Sequence, residues 1–436
     1  MKVKEVFVYL LLMKVVWFLY RRWKSQRLWL QIQSHARTPV VLIPGLGGSR
    51  LYDDAGSLKW CNWQGFFPHM TNSWRDSLTV KYNPETKMFE EASYHTPYRT
   101  SHWQSGKFAP TPDFGCCNGV GNVLSRSVKS SWQFQGILDA ALAMGYTDGV
   151  NLLGAPYDFR KITSPSVWTE YCRSLKALIE HCQGRVVLLS HSMGSTLLLT
   201  FFVLYLPSVL PTAEAVAGWK KVYVKRWVTV NGAFGGAGKA LRSFLSGDNN
   251  GMGYICDTGC HDWYQPMLEN ASGVLWMLPN PQVFSSDVPV VKIGEKSYSA
   301  KQLPELLEEV SPLAAKAYKD TVLPLLTVQA PGVPVVCVTS TQPGTLLQCC
   351  YPESSLHFLH VTMTDERLYY AQQQQQGCSV QHMCGDGTVP YTSLMVPQRW
   401  MDDQAVTFVR VKQENVAHTS ILIEPETVKM IMTLLE

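Results

Sequence analysis

Short apolar runs closed by turn residues alternate along this chain with longer stretches of helical periodicity. Residues 39–43 form the first run and read as a buried strand, ended by Pro44-Gly45-Leu46-Gly47-Gly48-Ser49. Apolar positions recur at helical spacing over 132–144 and 167–182, and a strand is predicted at 185–189. A helical run opens with Ser195-Thr196-Leu197-Leu198-Leu199, and 227–230 reads as the next strand. Strand patterns return at 334–339 and 407–411, and 424–435 reads as a closing helix. Two stretches break the rhythm. Residues 51 to about 108 are aromatic, turn-rich and irregular, and about 247–331 reads as an insertion with one helical segment at 303–326. Strands alternating with helices predict an α/β fold, a mainly parallel sheet with helices on both faces.

The N-terminus departs from this pattern. Residues 6–20 are apolar except for Lys14, with Lys2 and Lys4 before them and Arg21, Arg22, Lys24 and Arg27 after them. That is short for a span of about 20 residues, so 1–36 is expected to be a signal sequence or a signal anchor. Ser34-His35-Ala36 fits a small-x-small cleavage site but lies far beyond the apolar stretch, so cleavage and retention both stay open. The basic cluster suits an anionic membrane surface.

Composition narrows the partners. Charged residues are 17% and hydrophobic ones 46%, which describes a globular chain rather than a disordered one. A net charge of +4, dispersed along the sequence, gives no argument for nucleic acid. Half of the 14 tryptophans precede residue 104, a skew that fits a lipid-facing surface. Trp60, Trp63, Phe66 and Phe67 crowd together with few charges and are expected to contact membrane. A satellite core under a long loop is the competing reading. The 12 cysteines are compatible with the secretory route without spelling a disulfide framework. Cys256, Cys260 and His261, like Cys378, His382 and Cys384, lack the paired spacing of a structural zinc site, so no metal is expected. Gly235-Gly236-Ala237-Gly238-Lys239 has the wrong spacing for a phosphate loop, and Ala240 stands where a hydroxyl is required.

Candidate chemistry centres on Ser190-His191-Ser192-Met193-Gly194. A serine between a strand and a helix, with small residues two positions to either side, describes a nucleophile elbow. The order in α/β-hydrolases is serine, then acid, then histidine. Histidines after Ser192 are His261, His357, His360, His382 and His418. Asp386, in Gly385-Asp386-Gly387-Thr388-Val389-Pro390, is the best acid, because its glycine neighbours let a loop present a carboxylate. His418 is then the one histidine left downstream, in a loop between a strand and the last helix. An oxyanion hole needs two backbone N–H donors. Met193, directly after the serine, offers one, and Leu46 in the loop after the first strand is well placed for the other.

The motifs Val40-Val41-Leu42-Ile43-Pro44-Gly45, Gly154-Ala155-Pro156-Tyr157-Asp158-Phe159-Arg160, the serine elbow, Ser246-Gly247-Asp248-Asn249, Gly385-Asp386-Gly387-Thr388-Val389 and the His418 loop occur in family order. From about residue 39 to the end, the chain resembles the lecithin:cholesterol acyltransferase and lysosomal phospholipase A family. The resemblance implies an α/β-hydrolase domain over 37–436, with a membrane-contact insertion at about 51–108 and a cap insertion at about 247–331. It implies Ser192, Asp386 and His418 as the triad and Leu46 and Met193 as the oxyanion hole. It also implies an acyl chain taken from a phospholipid, in a membrane or lipid particle, and passed to water, a sterol or another lipid alcohol without metal or cofactor. The expected setting is the secretory pathway or endomembranes, or else secretion or the lysosome. Two departures stand out. Cys61 matches the first cysteine of the family's lid disulfide, but Ser73 stands near its partner's place. Cys337 matches the first of the second bridge, where Pro397 falls near the partner. Two rivals remain at this point, a neutral-lipid or short-chain esterase on the same residues and a non-catalytic lipid-binding or tethering protein.

Overall fold

The computed structural model describes residues 37–52, 78–91, 102–103, 107–108, 113–123, 133–182, 184–246, 270–351, 384–411 and 416–436. The N-terminal segment 1–36 lies outside them, as do Trp60, Trp63, Phe66 and Phe67 and the Cys256 and Cys378 clusters apart from Cys384.

Six strands make the central sheet: β1 (Val40–Ile43), β2 (Leu152–Gly154), β3 (Val186–His191), β4 (Val224–Val230), β5 (Val335–Thr339) and β6 (Val406–Arg410). Their order is β6-β5-β4-β3-β1-β2, and every pairing is parallel. β1, β2 and most of β3 are nearly continuous apolar runs because a parallel sheet is covered on both faces. Successive side chains enter opposite cores. Val41, Ile43, Val186, Leu188 and Trp227 face one, and Val40, Leu42, Val187, Leu189 and Val228 the other.

Six helices matter for the site: α1 (Gln135–Ala143), α2 (Pro165–His181), α3 (Met193–Thr200), α4 (Ala213–Tyr223), α5 (Gly238–Ser246) and α6 (Pro425–Leu435). α1 and α6 cover the smaller core, where Ile137, Leu138 and Ala141 meet Val428, Ile431, Met432 and Leu435. These positions recur at helical spacing, so each helix turns one apolar stripe inward. Glu424 caps α6 by accepting the Thr427 N–H, and Pro425 takes the first position, where no N–H is needed. α2, α3, α4 and α5 cover the larger core.

The segment read as one helix over 303–326 is broken. Leu303–Val310 ends where Ser311 turns extended, and Pro312–Ala317 restarts with the Ser311 hydroxyl accepting the Ala314 N–H. A proline without an N–H forbids continuity there, and the serine serves as the new cap. β2, α4 and α5 are elements that periodicity did not reveal. β2 has only three residues, and α5 emerges from the Gly235-Gly236-Ala237-Gly238 run. Cys337 is a buried free thiol on β5, so no bridge forms at the second family position. Among the described residues no helix is long and apolar enough to cross a membrane.

Candidate active site

All the sequence-named site residues that are described lie beyond the carboxyl ends of the parallel strands, where open α/β sheets bind ligands. β3 ends at His191 and α3 begins at Met193, so Ser192 alone makes the turn, at φ 53° and ψ −127°. A left-handed backbone costs a non-glycine residue about 1–3 kcal/mol and persists only where its surroundings hold it. Here the Ser192 N–H donates to Val230 O (3.1 Å), and the Ser192 carbonyl accepts from Ser195 N (2.9 Å) and Ala233 N (3.2 Å).

The glycine of the elbow is imposed by contact. A methyl group on Gly194 would lie 2.4 Å from Pro44 O and 2.6 Å from Ile43 O, so α3 crosses β1 backbone to backbone. Ser190, the other small flank, also belongs to a buried hydroxyl chain under the turn. Its Oγ accepts the Trp227 indole N–H (2.7 Å) and shares a proton with Ser195 Oγ (2.8 Å), which in turn pairs with Thr229 Oγ1 (2.7 Å).

Asp386 sits on a tight turn that Gly387 completes at φ 88°. Its Oδ1 accepts the N–H groups of Thr388 (3.0 Å) and Val389 (2.7 Å), which fixes the carboxylate and leaves Oδ2 for another donor. That donor is His418, whose Nδ1–H reaches Oδ2 at 2.6 Å. The other ring nitrogen, His418 Nε2, lies 2.8 Å from Ser192 Oγ. All three side chains are buried, Asp386 completely. The structure thus brings Ser192, His418 and Asp386 into one line of hydrogen bonds, although 226 residues separate the outer contact in sequence. A carboxylate can only accept, so it selects the tautomer that leaves Nε2 bare toward the serine.

Leu46 and Met193 also come together. A methyl group on Gly273 would lie 2.8 Å from Leu46 Cδ1 and 3.1 Å from Met193 Cε, so both side chains meet at the same point. Met193 is the first residue of α3, and the N–H there has no intrahelical acceptor. Gly273 belongs to a short helix, Ser272–Trp276, joined to the loop after β2 by Ser272 N to Arg160 O (2.8 Å) and Gly273 N to Phe159 O (2.9 Å).

Arg160 holds that loop. Its guanidinium is fully buried and bonds Asp158 at 2.9 and 2.7 Å, Glu91 at 3.2 Å through two nitrogens, and Leu78 O at 3.1 Å. Burial alone would raise the Asp158 carboxyl, but the charge and hydrogen bonds of Arg160, with Lys161, outweigh it and hold the group below the usual carboxylate range.

Two residues beside the serine–histidine pair escaped sequence reasoning. His191 Nε2 donates to the backbone carbonyl of His418 (2.9 Å), and Asn231 Nδ2 reaches the same oxygen (3.3 Å). Asn231 follows β4 at φ 45°, a conformation that asparagine tolerates better than most residues. That preference is the one sequence signal that could have marked it.

A parallel sheet carrying a strand–serine–helix elbow and a downstream acid and histidine defines an α/β-hydrolase. The family model for lecithin:cholesterol acyltransferase matches residues 57–305, and the chain belongs to that family. It is 26% identical to "Lecithin-cholesterol acyltransferase-like 1" of Arabidopsis thaliana, over 90% of this chain and 88% of that one. It is 23% identical to "Lysosomal phospholipase A and acyltransferase" of Rattus norvegicus, over 86% of this chain and 84% of the relative. A chain of the solved Tle4–Tli4 complex superposes with a TM-score of 0.49 at 11% identity, covering 91% of this chain and 98% of that one.

Proposed function

We propose that this protein is a serine-dependent lipid acyl hydrolase and O-acyltransferase that takes a fatty acyl chain from a phospholipid. The observation that carries the reading is the hydrogen-bonded line from Asp386 through His418 to Ser192 Oγ. His418 Nε2 takes the hydroxyl proton as Ser192 Oγ attacks the acyl carbonyl. Negative charge gathers on the carbonyl oxygen and is met by the backbone N–H groups of Leu46 and Met193. Collapse expels the lysophospholipid alkoxide, which takes the proton from His418, and leaves the acyl chain esterified to Ser192. The hydroxyl of water, a sterol or another lipid alcohol then gives its proton to His418 and attacks the ester. The acyl product leaves and Ser192 regains its proton. Asp386 holds the imidazole tautomer throughout and balances the transient imidazolium. The names of the plant and rat relatives support acyl transfer from phospholipid, and the rat relative's name supports a lysosomal setting.

Ser192→Ala tests the reading. A fluorescent alkyl phosphonate should label the wild-type protein once and fail to label the variant, and release of fatty acid from position-labelled phospholipid vesicles should vanish with it. Labelling that survives in Ser192→Ala places the nucleophile elsewhere. Adding a sterol or a lysolipid to the same assay distinguishes transfer from hydrolysis by the ester that accumulates.

A further inference from the structure

The Ser192–His418 hydrogen bond is half of a closed loop. Ser192 is joined covalently to His191, and His191 Nε2 donates to the carbonyl of His418 at 2.9 Å. From that carbonyl the path runs through the His418 backbone and ring to Nε2, and back to Ser192 Oγ at 2.8 Å. The two imidazole rings lie with centroids 4.8 Å apart. Asn231 adds a second donor to the same carbonyl and is itself tied to β5's exit, giving Nδ2 to Ser340 Oγ (3.0 Å) and accepting Ser340 N at its own oxygen (3.0 Å).

The carboxylate of Asp386 fixes how the His418 ring turns, but it does not fix where the His418 backbone stands. That position sets the distance to Ser192 Oγ. We propose that His191, seconded by Asn231, is a positioning residue that pins the His418 backbone to the nucleophile's own neighbour and so sets the serine–histidine distance for proton transfer. The inference rests on the reading of Ser192 and His418 as nucleophile and base.

The chemistry of His191 suits the task. A carbonyl can only accept, so His191 carries its proton on Nε2. His191 Nδ1 is buried with no hydrogen-bond partner among the described residues. Burial, together with the imidazole of His418, holds this residue down at about 3, against the pull of its bond to the His418 carbonyl. His191 therefore stays neutral while its neighbour gains and loses a proton. It keeps its donor and competes for nothing.

The test compares His191→Leu, which removes the donor, with His191→Gln, whose amide can occupy the Nε2 position. Turnover of a soluble short-chain ester is measured per folded active site, counted by the final extent of phosphonate labelling. His191→Leu should lower kcat by about tenfold to a hundredfold with KM nearly unchanged, the scale of a small misplacement of reacting groups. Phosphonate labelling should slow by the same factor. His191→Gln should recover most of the loss even where both variants melt at the same temperature. Asn231→Gly keeps the left-handed backbone and removes the second donor, and it carries the test if His191→Leu fails to fold. Its kcat should fall by a smaller factor with KM unchanged. Full turnover per active site in His191→Leu, or equal losses in the Leu and Gln variants, overturns the clamp. In a fold-defective background, normal kcat in Asn231→Gly does the same. The Ser192→Ala control separates the two ideas, because continued labelling there sinks the nucleophile assignment itself.

Discussion

At Asp386 both carboxylate oxygens are engaged. One oxygen takes two backbone N–H groups and the other takes His418. Asp386→Asn keeps the shape and the backbone bonds but offers an amide N–H or a weaker carbonyl to the ring, so the tautomer with Nε2 bare loses its advantage. Turnover of a soluble ester should fall about 10⁴-fold, with circular dichroism and melting temperature close to wild type. A fall of less than tenfold would remove Asp386 from the mechanism. The residues nearest the chemistry were the most legible, because each is constrained by its neighbours. Gly194 has no room for a methyl group, and Gly387 supplies the left-handed turn. His191 was not legible in its role. Nothing local distinguishes a spacer in the elbow from a donor to a carbonyl 227 positions away.

Among the elements, the loop after β2 joins three parts that are distant in sequence. Arg160 ties the hairpin of Val80–Asn83 and Met88–Glu91 to that loop through Glu91 and Leu78 O, and the loop's carbonyls take the first N–H groups of Ser272–Trp276. Arg160→Met would leave Asp158 and Glu91 as half-buried carboxylates with Lys161 alone to balance them. Breaking a buried pair from one side costs about 3–5 kcal/mol, and with Lys161 left against Glu91 chemical denaturation should show a loss toward the lower end of that range. Arg160→Lys should restore little, since an ammonium cannot make the two-pronged bonds to both carboxylates. A loss under about 1 kcal/mol in the Met variant would mean that the pairs are replaceable by water. Sequence pattern found β1, β3, β5, β6 and α6 because each is a sustained run of one period. It found only the last part of β4, since Val224-Lys225-Arg226 interrupts the apolar pattern. β2 was too short to carry a period, and the break at Ser311-Pro312 was hidden by leucines and alanines that kept helical spacing on both sides.

The whole molecule inherits an acid sensitivity from His191. The group titrates at about 3 when folded, against 6.5 for a free imidazole. Between those values the unfolded chain binds a proton that the folded chain refuses. The contribution to stability is therefore complete above pH 6.5 and is lost as pH falls toward 3, at up to about 1.4 kcal/mol per pH unit. Urea unfolding of the wild type and His191→Gln at pH 7, 6, 5 and 4 should show the wild type losing stability faster on acidification. Parallel curves would show that His191 is not held neutral by the fold. β1 and β3 were the easiest strands to foresee, since burial on both faces leaves them no polar alternation to confuse with anything else.

The free thiols lie on both sides of that sheet. Cys117 belongs to the core under α1 and α6, whereas Cys172 and Cys337 belong to the core under α2 and α3. Burial pushes all three thiols up, so none is a ready nucleophile while the protein is closed. Each becomes alkylatable only when its own layer opens. The molecule thus carries built-in reporters of its breathing, and brief pulses of a thiol reagent would time the opening of the two layers separately.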